Sequence, residues 1–279
     1  MKSVAVDKSK YGPWALVAGA SDGVGAAFAE AIARNGINVV LLARRAEILN
    51  QVAESIQGRT GAETRVLVTD LSAPDATESI VAATADVEIG LVVYCAGGDA
   101  DFAPFLENSI TASERMLQRN CLIPMQLSHH YGRAMVQRGR GGIVILSSGA
   151  AFVGAPNMAA YGATKAFDMI FAEALWAELR DQGVDALGVV LGETDTPSLR
   201  RLRGERGLAG PDEPVPGATA VEEVVSAAFK SLGKDPTCMA GKQIRRGARL
   251  ISPIPRGVLV RLMVRMSRRA MGSDDKSAR

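Results

Sequence analysis

The chain has few cysteines and no long hydrophobic run, and both absences limit what it can be. Its three cysteines among 279 residues, Cys95, Cys121 and Cys238, are widely spaced. They form neither a metal-ligand cluster nor a disulfide framework, so we expect no metal and a reducing compartment. No apolar run reaches the roughly 20 residues of a membrane span, and the N-terminus lacks the apolar stretch of a signal peptide. The sequence therefore predicts a cytoplasmic protein.

An excess of charge and an internal boundary are also absent. The formal net charge of +2 is too small to indicate nucleic acid as a partner. No linker rich in proline, glycine or serine divides the chain, and no segment repeats. Because 47% of the residues are hydrophobic, the chain can bury a substantial core.

Short apolar runs with β character alternate with helical segments. The runs that predict strands lie at residues 14–20, 37–45, 64–70, 91–97, 142–148 and 184–192. Continuous apolar strands between helices predict a parallel sheet covered on both faces. The expected fold class is α/β, a doubly wound parallel sheet in a Rossmann-like single domain.

A glycine-rich turn, AGASDGVG, follows the first predicted strand. Gly19, Gly23 and Gly25 have the spacing G-x3-G-x-G rather than the commoner G-x-G-x-x-G. Glycines let the backbone approach a pyrophosphate, and the following helix offers free N–H groups and partial positive charge. The turn predicts a dinucleotide site, and the alternative is an ordinary strand-to-helix turn.

The second predicted strand ends at Ala43-Arg44-Arg45, where an NAD site usually has an acidic residue for the ribose 2′-OH. Arg44 can instead pair with a 2′-phosphate, which predicts NADP(H) as the cofactor. The alternative is a pair of solvated arginines at a strand end.

Tyr161 and Lys165 stand four residues apart in the helical segment YGATKAF, so both side chains share one helix face. A nearby ammonium stabilises the phenolate, which makes the phenol a better proton donor near neutral pH. Such a pair downstream of a nucleotide-binding turn predicts hydride transfer to a carbonyl, with Tyr161 as the acid.

With these motifs in place, the chain resembles the short-chain dehydrogenase/reductase family over most of residues 12–235. Further motifs that carry the resemblance are Asp70-Leu71, an Ala-Gly turn at 96–97, Asn120, Ser148 and GETDT at 192–196. The resemblance implies a catalytic tetrad of Asn120, Ser148, Tyr161 and Lys165. It also implies cofactor contacts from Gly19, Ser21, Gly23, Val24, Gly25, Arg44, Asp70, Leu71, Ala96, Gly97, Tyr161, Lys165, Thr194 and Thr196.

The resemblance also implies roles. Ser148, which lies 13 residues before Tyr161 as in the family, would hydrogen-bond the carbonyl oxygen; Ser147 would be a strand neighbour. Lys165 would hold the nicotinamide ribose and lower the tyrosine pKa, and Asn120 would anchor a water chain. Asp70 and Leu71 would bracket the adenine, while Thr194 and Thr196 would meet the nicotinamide carboxamide and phosphate.

The sequence departs from the family pattern at two places. The usual Asn-Asn-Ala-Gly turn reads Tyr94-Cys95-Ala96-Gly97, so another group must supply the bracing that the first asparagine gives the sheet. The usual Pro-Gly before the nicotinamide contact reads Leu191-Gly192, which loosens that loop. Neither change removes a member of the tetrad.

Within the family, GPWALVAGASDGVG, VEIGLVVYCAG and YGATKAFDMIFAEAL are similar to very-long-chain 3-oxoacyl reductases and 17β-hydroxysteroid dehydrogenases. That resemblance implies a lipophilic ketone or alcohol as substrate, 3-oxoacyl or steroid-like, a lid near residues 197–216, and a homodimer or homotetramer. Arginines in the lid, Arg206 among them, would meet acyl-carrier phosphates or solvent. The alternative is a catalytically silent nucleotide sensor or scaffold, although such proteins usually lose tetrad residues.

The C-terminal region has no acidic residue between 236 and 273 but nine basic ones. Residues 256–271 have the spacing of a basic amphipathic helix. Such a helix can lie on an anionic bilayer as a peripheral contact, or pack over the active-site mouth or a neighbouring subunit. We favour packing, since the helix has no aromatic anchor. The expected organisation is a dinucleotide-binding and catalytic domain over 1–235 and a basic extension over 236–279.

Overall fold

The computed structural model describes residues 5–98, 102–205, 207, 210, 213–251 and 253–270. Its strands are β1 (Trp14–Ala18), β2 (Asn38–Ala43), β3 (Thr64–Val68), β4 (Ile89–Tyr94), β5 (Gly141–Ser148), β6 (Val184–Leu191), β7 (Thr194–Asp195), β8 (Thr219–Ala220) and β9 (Thr237–Ala240). Seven of them form one parallel sheet in the order β3-β2-β1-β4-β5-β6-β9. The short strands β7 and β8 pair separately.

The helices connect the strands and cover the sheet. They are α1 (Lys8–Tyr11), α2 (Gly23–Ala33), α3 (Ala46–Thr60), α4 (Ala76–Ala83), α5 (Ile110–Leu117), α6 (Ile123–Gln137), α7 (Ala159–Leu179), α8 (Pro197–Glu205), α9 (Val221–Ser231), α10 (Lys242–Ile251) and α11 (Arg256–Ala270). A π-helical segment, Gln118–Leu122, joins α5 to α6.

The core consists of two apolar layers, one on each face of the sheet. One layer packs β-strand residues against α2, α3 and α9, and the other packs them against α4, α6 and α7. Every residue of β4 is buried, as expected for a central strand of a parallel sheet. The prediction of a doubly wound α/β sheet in one Rossmann-like domain is confirmed.

The strand order reverses between β1 and β4, which are neighbours in the sheet although β2 and β3 separate them in the chain. In open α/β sheets of this kind, ligands bind at the carboxyl ends of the strands beside such a reversal. The glycine-rich turn after β1 and the Ala-Gly turn after β4 both lie there.

All six predicted strands are present. The sequence analysis did not predict the four-residue strand β9 at the sheet edge, the pair β7–β8, the helix α8 inside the predicted lid, or the helices α1, α9 and α10. β9 begins two residues after the proposed domain boundary at 235, and that boundary stays a prediction. Within the described ranges, no helix combines the length and apolar character needed to cross a bilayer.

Candidate active site

The glycine-rich turn is packed too closely for larger residues. A Cβ at Gly25 would lie 2.1 Å from the Gly19 carbonyl oxygen. Gly19 has a φ of 83°, and a Cβ there would lie 2.9 Å from the Ala96 backbone nitrogen. The turn therefore contacts the Ala96-Gly97 turn after β4, and its backbone is open to close approach by a phosphate. Val24 is buried beneath it.

At the end of β2, Arg45 contacts the glycine-rich turn. Its guanidinium donates to Ser21 Oγ at 3.2 Å and to an Asp22 carboxylate oxygen at 3.3 Å. Arg44, the arginine expected to meet the cofactor, is exposed beside it. Two guanidinium groups and a serine hydroxyl are suitable donors for a phosphate. The sequence analysis named Arg44 as the partner of the 2′-phosphate, and the doubled arginine was the available signal for Arg45.

Asp70 and Leu71 follow β3 at the same edge of the sheet. Asp70 accepts from the Ser72 backbone N–H at 2.9 Å and from Arg115 at 3.0 Å. The Ser72 N–H, assisted by Arg115 and Arg44, holds the pKa of Asp70 below its usual range. Leu71 is buried in the core layer that packs on α4 and α6.

Asn120 is fully buried in the π-helical segment. It donates to Thr164 Oγ1 at 3.0 Å and to the Gly97 carbonyl at 3.4 Å, and it accepts from Arg119 Nε at 3.1 Å. Gly97 has a φ of 127°, and a Cβ there would lie 2.9 Å from both Asn120 Oδ1 and Lys165 Nζ. The structure thus brings Gly97, Asn120 and Lys165 into contact.

Lys165 is 4% exposed and is held by two acceptors. Its Nζ donates to the Leu146 carbonyl at 3.0 Å and to Asp168 Oδ2 at 2.9 Å. Asp168 is 1% exposed, and burial raises its pKa to about 6, although Lys165 acts to lower it. Sequence reasoning missed Asp168; opposite charges three positions apart on a helix were the available signal.

Ser148 ends β5, and its Oγ accepts from the Ala150 backbone N–H at 3.3 Å. The neighbouring Ser147 is buried and donates to the Lys165 carbonyl at 2.6 Å, so its hydroxyl is occupied in anchoring α7. Ser148 is half-buried and is the more exposed of the two serines.

Tyr161 lies in the first turn of α7 and is half-buried. The ring of Phe102 is centred 6.3 Å from its ring. Tyr161 also borders a small pocket with Phe105, Met116 and Met158 in its wall. Asn108, Ser113 and Asn157 also line it, so the pocket is of mixed polarity.

Thr194 and Thr196 flank the turn that leads into α8. Thr194 is buried and donates to the Gly192 carbonyl at 3.1 Å, while Thr196 Oγ1 accepts from the Leu199 backbone N–H at 3.1 Å. A Cβ at Gly23 would lie 2.9 Å from Thr196 Cγ2, so Thr196 lies against the glycine-rich turn.

Two of the three arginines of α8, in the predicted lid, pair with carboxylates of the same chain. Arg200 donates to both Asp195 carboxylate oxygens at 2.7 Å, and Arg201 donates to Asp22 at 3.1 Å. The second contact links the lid to the glycine-rich turn. Arg206 of the same predicted run lies outside the described residues.

Tyr94 is the residue at which the resemblance predicts the first asparagine of the turn after β4. Its hydroxyl is buried and donates to the Arg119 carbonyl in the π-helical segment. This hydrogen bond ties β4 to the segment that carries Asn120. Burial raises the pKa of Tyr94 well above its ordinary value, so the phenol stays a donor.

The C-terminal helices pack near the ends of β5 and β6. A Cβ at Gly149 would lie 2.9 Å from Ile244 Cδ1 of α10. In α11, Leu259 is buried, and Arg256 donates to the Phe152 carbonyl at 3.5 Å. Phe152 belongs to the segment that follows Ser148, so α11 begins beside the carboxyl edge of the sheet.

Comparison with known proteins gives a family and two groups of relatives. The family model described as short chain dehydrogenase matches residues 13–207. A 7beta-hydroxysteroid dehydrogenase of Collinsella aerofaciens is 36% identical over 236 residues, which cover 85% of this chain and 89% of the relative. A very-long-chain 3-oxoacyl-CoA reductase of Mus musculus is 30% identical over 230 residues, 80% of this chain and 70% of the relative. The similarity to the 3-oxoacyl reductase branch is confirmed.

Two solved structures are similar over nearly the whole chain. One, from a study of 7beta-hydroxysteroid dehydrogenase stereoselectivity, has a TM-score of 0.84 at 34% identity and covers 92% of this chain and 98% of its own. The other is a short-chain dehydrogenase from Sphingobium yanoikuyae in complex with NADPH. It has a TM-score of 0.73 at 27% identity and covers 96% of this chain and 98% of its own.

Proposed function

Because the chain belongs to the short-chain dehydrogenase family, we propose that it transfers hydride between NADP(H) and a lipophilic ketone or secondary alcohol. The observation that carries this proposal is the contact of Gly97 with Asn120 and Lys165 at the carboxyl edge of the sheet. Lys165 lies on α7, the helix that carries Tyr161. All four side chains of the tetrad are present, which favours an enzyme over a catalytically silent nucleotide sensor or scaffold.

The residues at the strand ends fit a dinucleotide. The turn from Gly19 to Gly25 offers bare backbone at the N-terminus of α2, where a pyrophosphate is stabilised by free N–H groups and by the helix dipole. Asp70, Ala96 and Gly97 would line the adenosine and ribose side of that edge, and Thr194 and Thr196 the nicotinamide side. When bound, the nicotinamide supplies or accepts the hydride.

The protein side of the reaction is proton transfer and charge stabilisation. Tyr161 would donate its phenolic proton to the carbonyl oxygen, and Ser148 would hydrogen-bond the same oxygen as charge develops on it. Lys165 would hold the ribose with the N–H that its two protein acceptors leave over. Asn120 would anchor the water chain through which the tyrosine proton is replaced.

The choice of NADP(H) over NAD(H) rests on the end of β2. Arg44 and Arg45 flank the place where an acidic residue would bind the ribose 2′-OH, and Arg45 already contacts Ser21. Charge-assisted hydrogen bonds from two arginines favour a 2′-phosphate. The NADPH complex of a similar structure agrees with this assignment.

The substrate class follows from the relatives and from the wall beside Tyr161. The names of the two relatives refer to a hydroxysteroid and to a long-chain 3-oxoacyl thioester, both of them large lipophilic molecules. Phe105, Met116 and Met158 supply apolar surface beside Tyr161, next to the polar side chains of Asn108, Ser113 and Asn157. We favour a steroid-like ketone, because the hydroxysteroid relative matches a larger share of both chains. A homodimer or homotetramer in the cytoplasm is part of the same proposal.

NADPH oxidation with a panel of oxosteroids and 3-oxoacyl thioesters tests the function. The wild-type protein should consume NADPH with at least one of them and form the matching alcohol, and NADH should be a poorer donor. A protein that binds NADPH tightly but turns over no member of the panel would fit the silent sensor or scaffold instead.

A further inference from the structure

A buried carboxylate lies beside the catalytic lysine. Asp168 is three residues after Lys165 on α7, and its Oδ2 accepts from Lys165 Nζ at 2.9 Å. Both side chains are almost fully buried. A buried charge is expensive unless it is paired, and Lys165 acts to lower the pKa of Asp168 against the effect of burial.

The other oxygen of this carboxylate has no partner among the described residues. Asp168 Oδ1 is buried and accepts no hydrogen bond. A carboxylate placed only for stability would normally have both oxygens satisfied. The acid therefore has one strong interaction, and that interaction is with Lys165.

The titratable groups around Asp168 are few. On its own helix it faces Lys165; Tyr94 of β4 and Cys121 of the π-helical segment feel its charge, which helps to raise the pKa of both. Arg119 acts on Tyr94 from the π-helical segment, and Cys95 follows β4 near Lys165. β5, which packs against α7, has no titratable side chain. The only ammonium near Asp168 within the described part of this region is that of Lys165.

From this geometry we propose that Asp168 is a positioning residue of the catalytic site, which anchors the Lys165 ammonium and offsets its charge. Leu146 and Asp168 together fix two of the three ammonium N–H groups, so the third has a defined direction. Lys165 then acts on Tyr161 as half of a neutral pair rather than as an unopposed cation. This role of Asp168 rests on the proposed function, because it assumes that Lys165 and Tyr161 act in catalysis, but its test needs no substrate.

The consequence is electrostatic and has a definite sign. An unopposed ammonium stabilises the Tyr161 phenolate, whereas a carboxylate beside that ammonium works against the phenolate. Removing the charge of Asp168 while keeping its shape should therefore make Tyr161 ionise at lower pH. Asp168 is seven positions from Tyr161, roughly 10 Å along a helix, so the change should be about one pH unit.

Tyrosinate absorbance in a pH titration of the cofactor-free protein measures this directly. The chain has four tyrosines, and burial raises the pKa of Tyr11, Tyr94 and Tyr131. The Tyr161 component is identified by its loss in Tyr161→Phe. In Asp168→Asn its midpoint should fall by about one pH unit. Asp168→Ser, which also removes the charge, is the second variant in case Asp168→Asn does not fold.

Asp185→Asn is the matched control. Asp185 is another mostly buried acid, but it contacts Tyr11 and Lys10, away from the site. This control should leave the Tyr161 midpoint unchanged. A midpoint that stays in place or rises in the folded Asp168 variants would overturn the proposal. If the midpoint falls but the wild type reduces no ketone, the proposed function is wrong and the role of Asp168 stands. If the wild type reduces a ketone but the midpoint does not fall, only the role of Asp168 is wrong.

Discussion

At the scale of single residues, the proposed role of Tyr161 as proton donor has the clearest test. Tyr161→Phe keeps the ring that packs near Phe102 and removes only the hydroxyl. Cofactor affinity should stay within about twofold, while kcat should fall by ~10²–10⁴-fold, the usual range for general acid catalysis. Steady-state kinetics and NADPH fluorescence titration measure the two quantities. A near-normal kcat in this variant would refute the role of Tyr161.

Cofactor choice is a second residue-scale property. Arg44→Ala and Arg45→Ala should each weaken NADPH binding without weakening NADH binding, because a charge-assisted hydrogen bond contributes ~1.5–3 kcal/mol. We expect an effect at Arg45 as well as at Arg44, because Arg45 contacts Ser21 of the glycine-rich turn. Arg34→Ala removes an exposed arginine that pairs with Glu30 on α2 and serves as control. Equal affinities of the wild type for NADPH and NADH would contradict the assignment.

Asp168 also predicts a pH dependence of stability. Burial raises its pKa from 3.8 to about 6. Between pH 3.8 and about 6, Asp168 keeps a proton in the folded protein that it has already released in the unfolded chain. The contribution of Asp168 to the free energy of unfolding therefore falls as pH rises through this range, and above about pH 6 that contribution no longer changes. The stability of wild type relative to Asp168→Asn should therefore be greater near pH 4.5 than near pH 7, by on the order of 2 kcal/mol.

Urea unfolding of both proteins at the two pH values measures that difference. Carboxylates with lowered pKa values, such as Asp70 and Asp195, stabilise the fold less as pH falls. This loss is the same in both proteins, so it cancels when their free energies of unfolding are compared. A difference that does not change with pH would show that Asp168 titrates alike in the folded and unfolded states.

At the scale of elements, Tyr94 connects β4 to the π-helical segment that carries Asn120. Tyr94→Phe removes a buried donor and leaves the Arg119 carbonyl without it, which should lower the free energy of unfolding by about 1–3 kcal/mol. Because Asn120 is next in the chain, kcat should also fall.

Tyr131→Phe is the control for that experiment. Its hydroxyl shares a buried hydrogen bond of 2.7 Å with Thr84, away from the site. We expect a similar loss of stability and an unchanged kcat. If Tyr94→Phe lost stability but kept full kcat, Tyr94 would brace the sheet without positioning Asn120.

The C-terminal helix α11 begins beside the segment after Ser148, since Arg256 contacts the Phe152 carbonyl. A chain ending at Pro255 should keep its activity on a small ketone and show a higher KM for long substrates or an altered oligomer. The membrane contact would instead be favoured if the full-length protein bound anionic vesicles, if salt reversed that binding, and if truncation abolished it. KM and the oligomeric state would then be unchanged by the truncation.

At the scale of the whole molecule, the sheet could be predicted because its strands are continuous apolar runs. The strand β9 could not be predicted, since a run of four residues is too short for its hydrophobic pattern to indicate a strand. The helix α8 was hidden by a basic, glycine-punctuated sequence; in the structure, ion pairs of its arginines with Asp195 and Asp22 hold it.

The same contrast holds for the site. Spacing and family resemblance named Asn120, Ser148, Tyr161 and Lys165, because motifs keep their order along the chain. They did not name Asp168 or the brace from Tyr94, because both depend on contacts between side chains and backbone that only the folded chain brings together. The contact of Arg45 with Ser21 joins residues 24 positions apart and was hidden for the same reason.

The central claim is that this protein transfers a hydride to a lipophilic ketone with Tyr161 as the acid. The most direct test uses NADPH deuterated at the transferable nicotinamide position, the best ketone of the panel, and mass spectrometry of the product. We expect one deuterium on the carbinol carbon with the wild type and almost no product with Tyr161→Phe. Alcohol formed without deuterium at that carbon, or no alcohol from any ketone despite tight NADPH binding, would contradict the account.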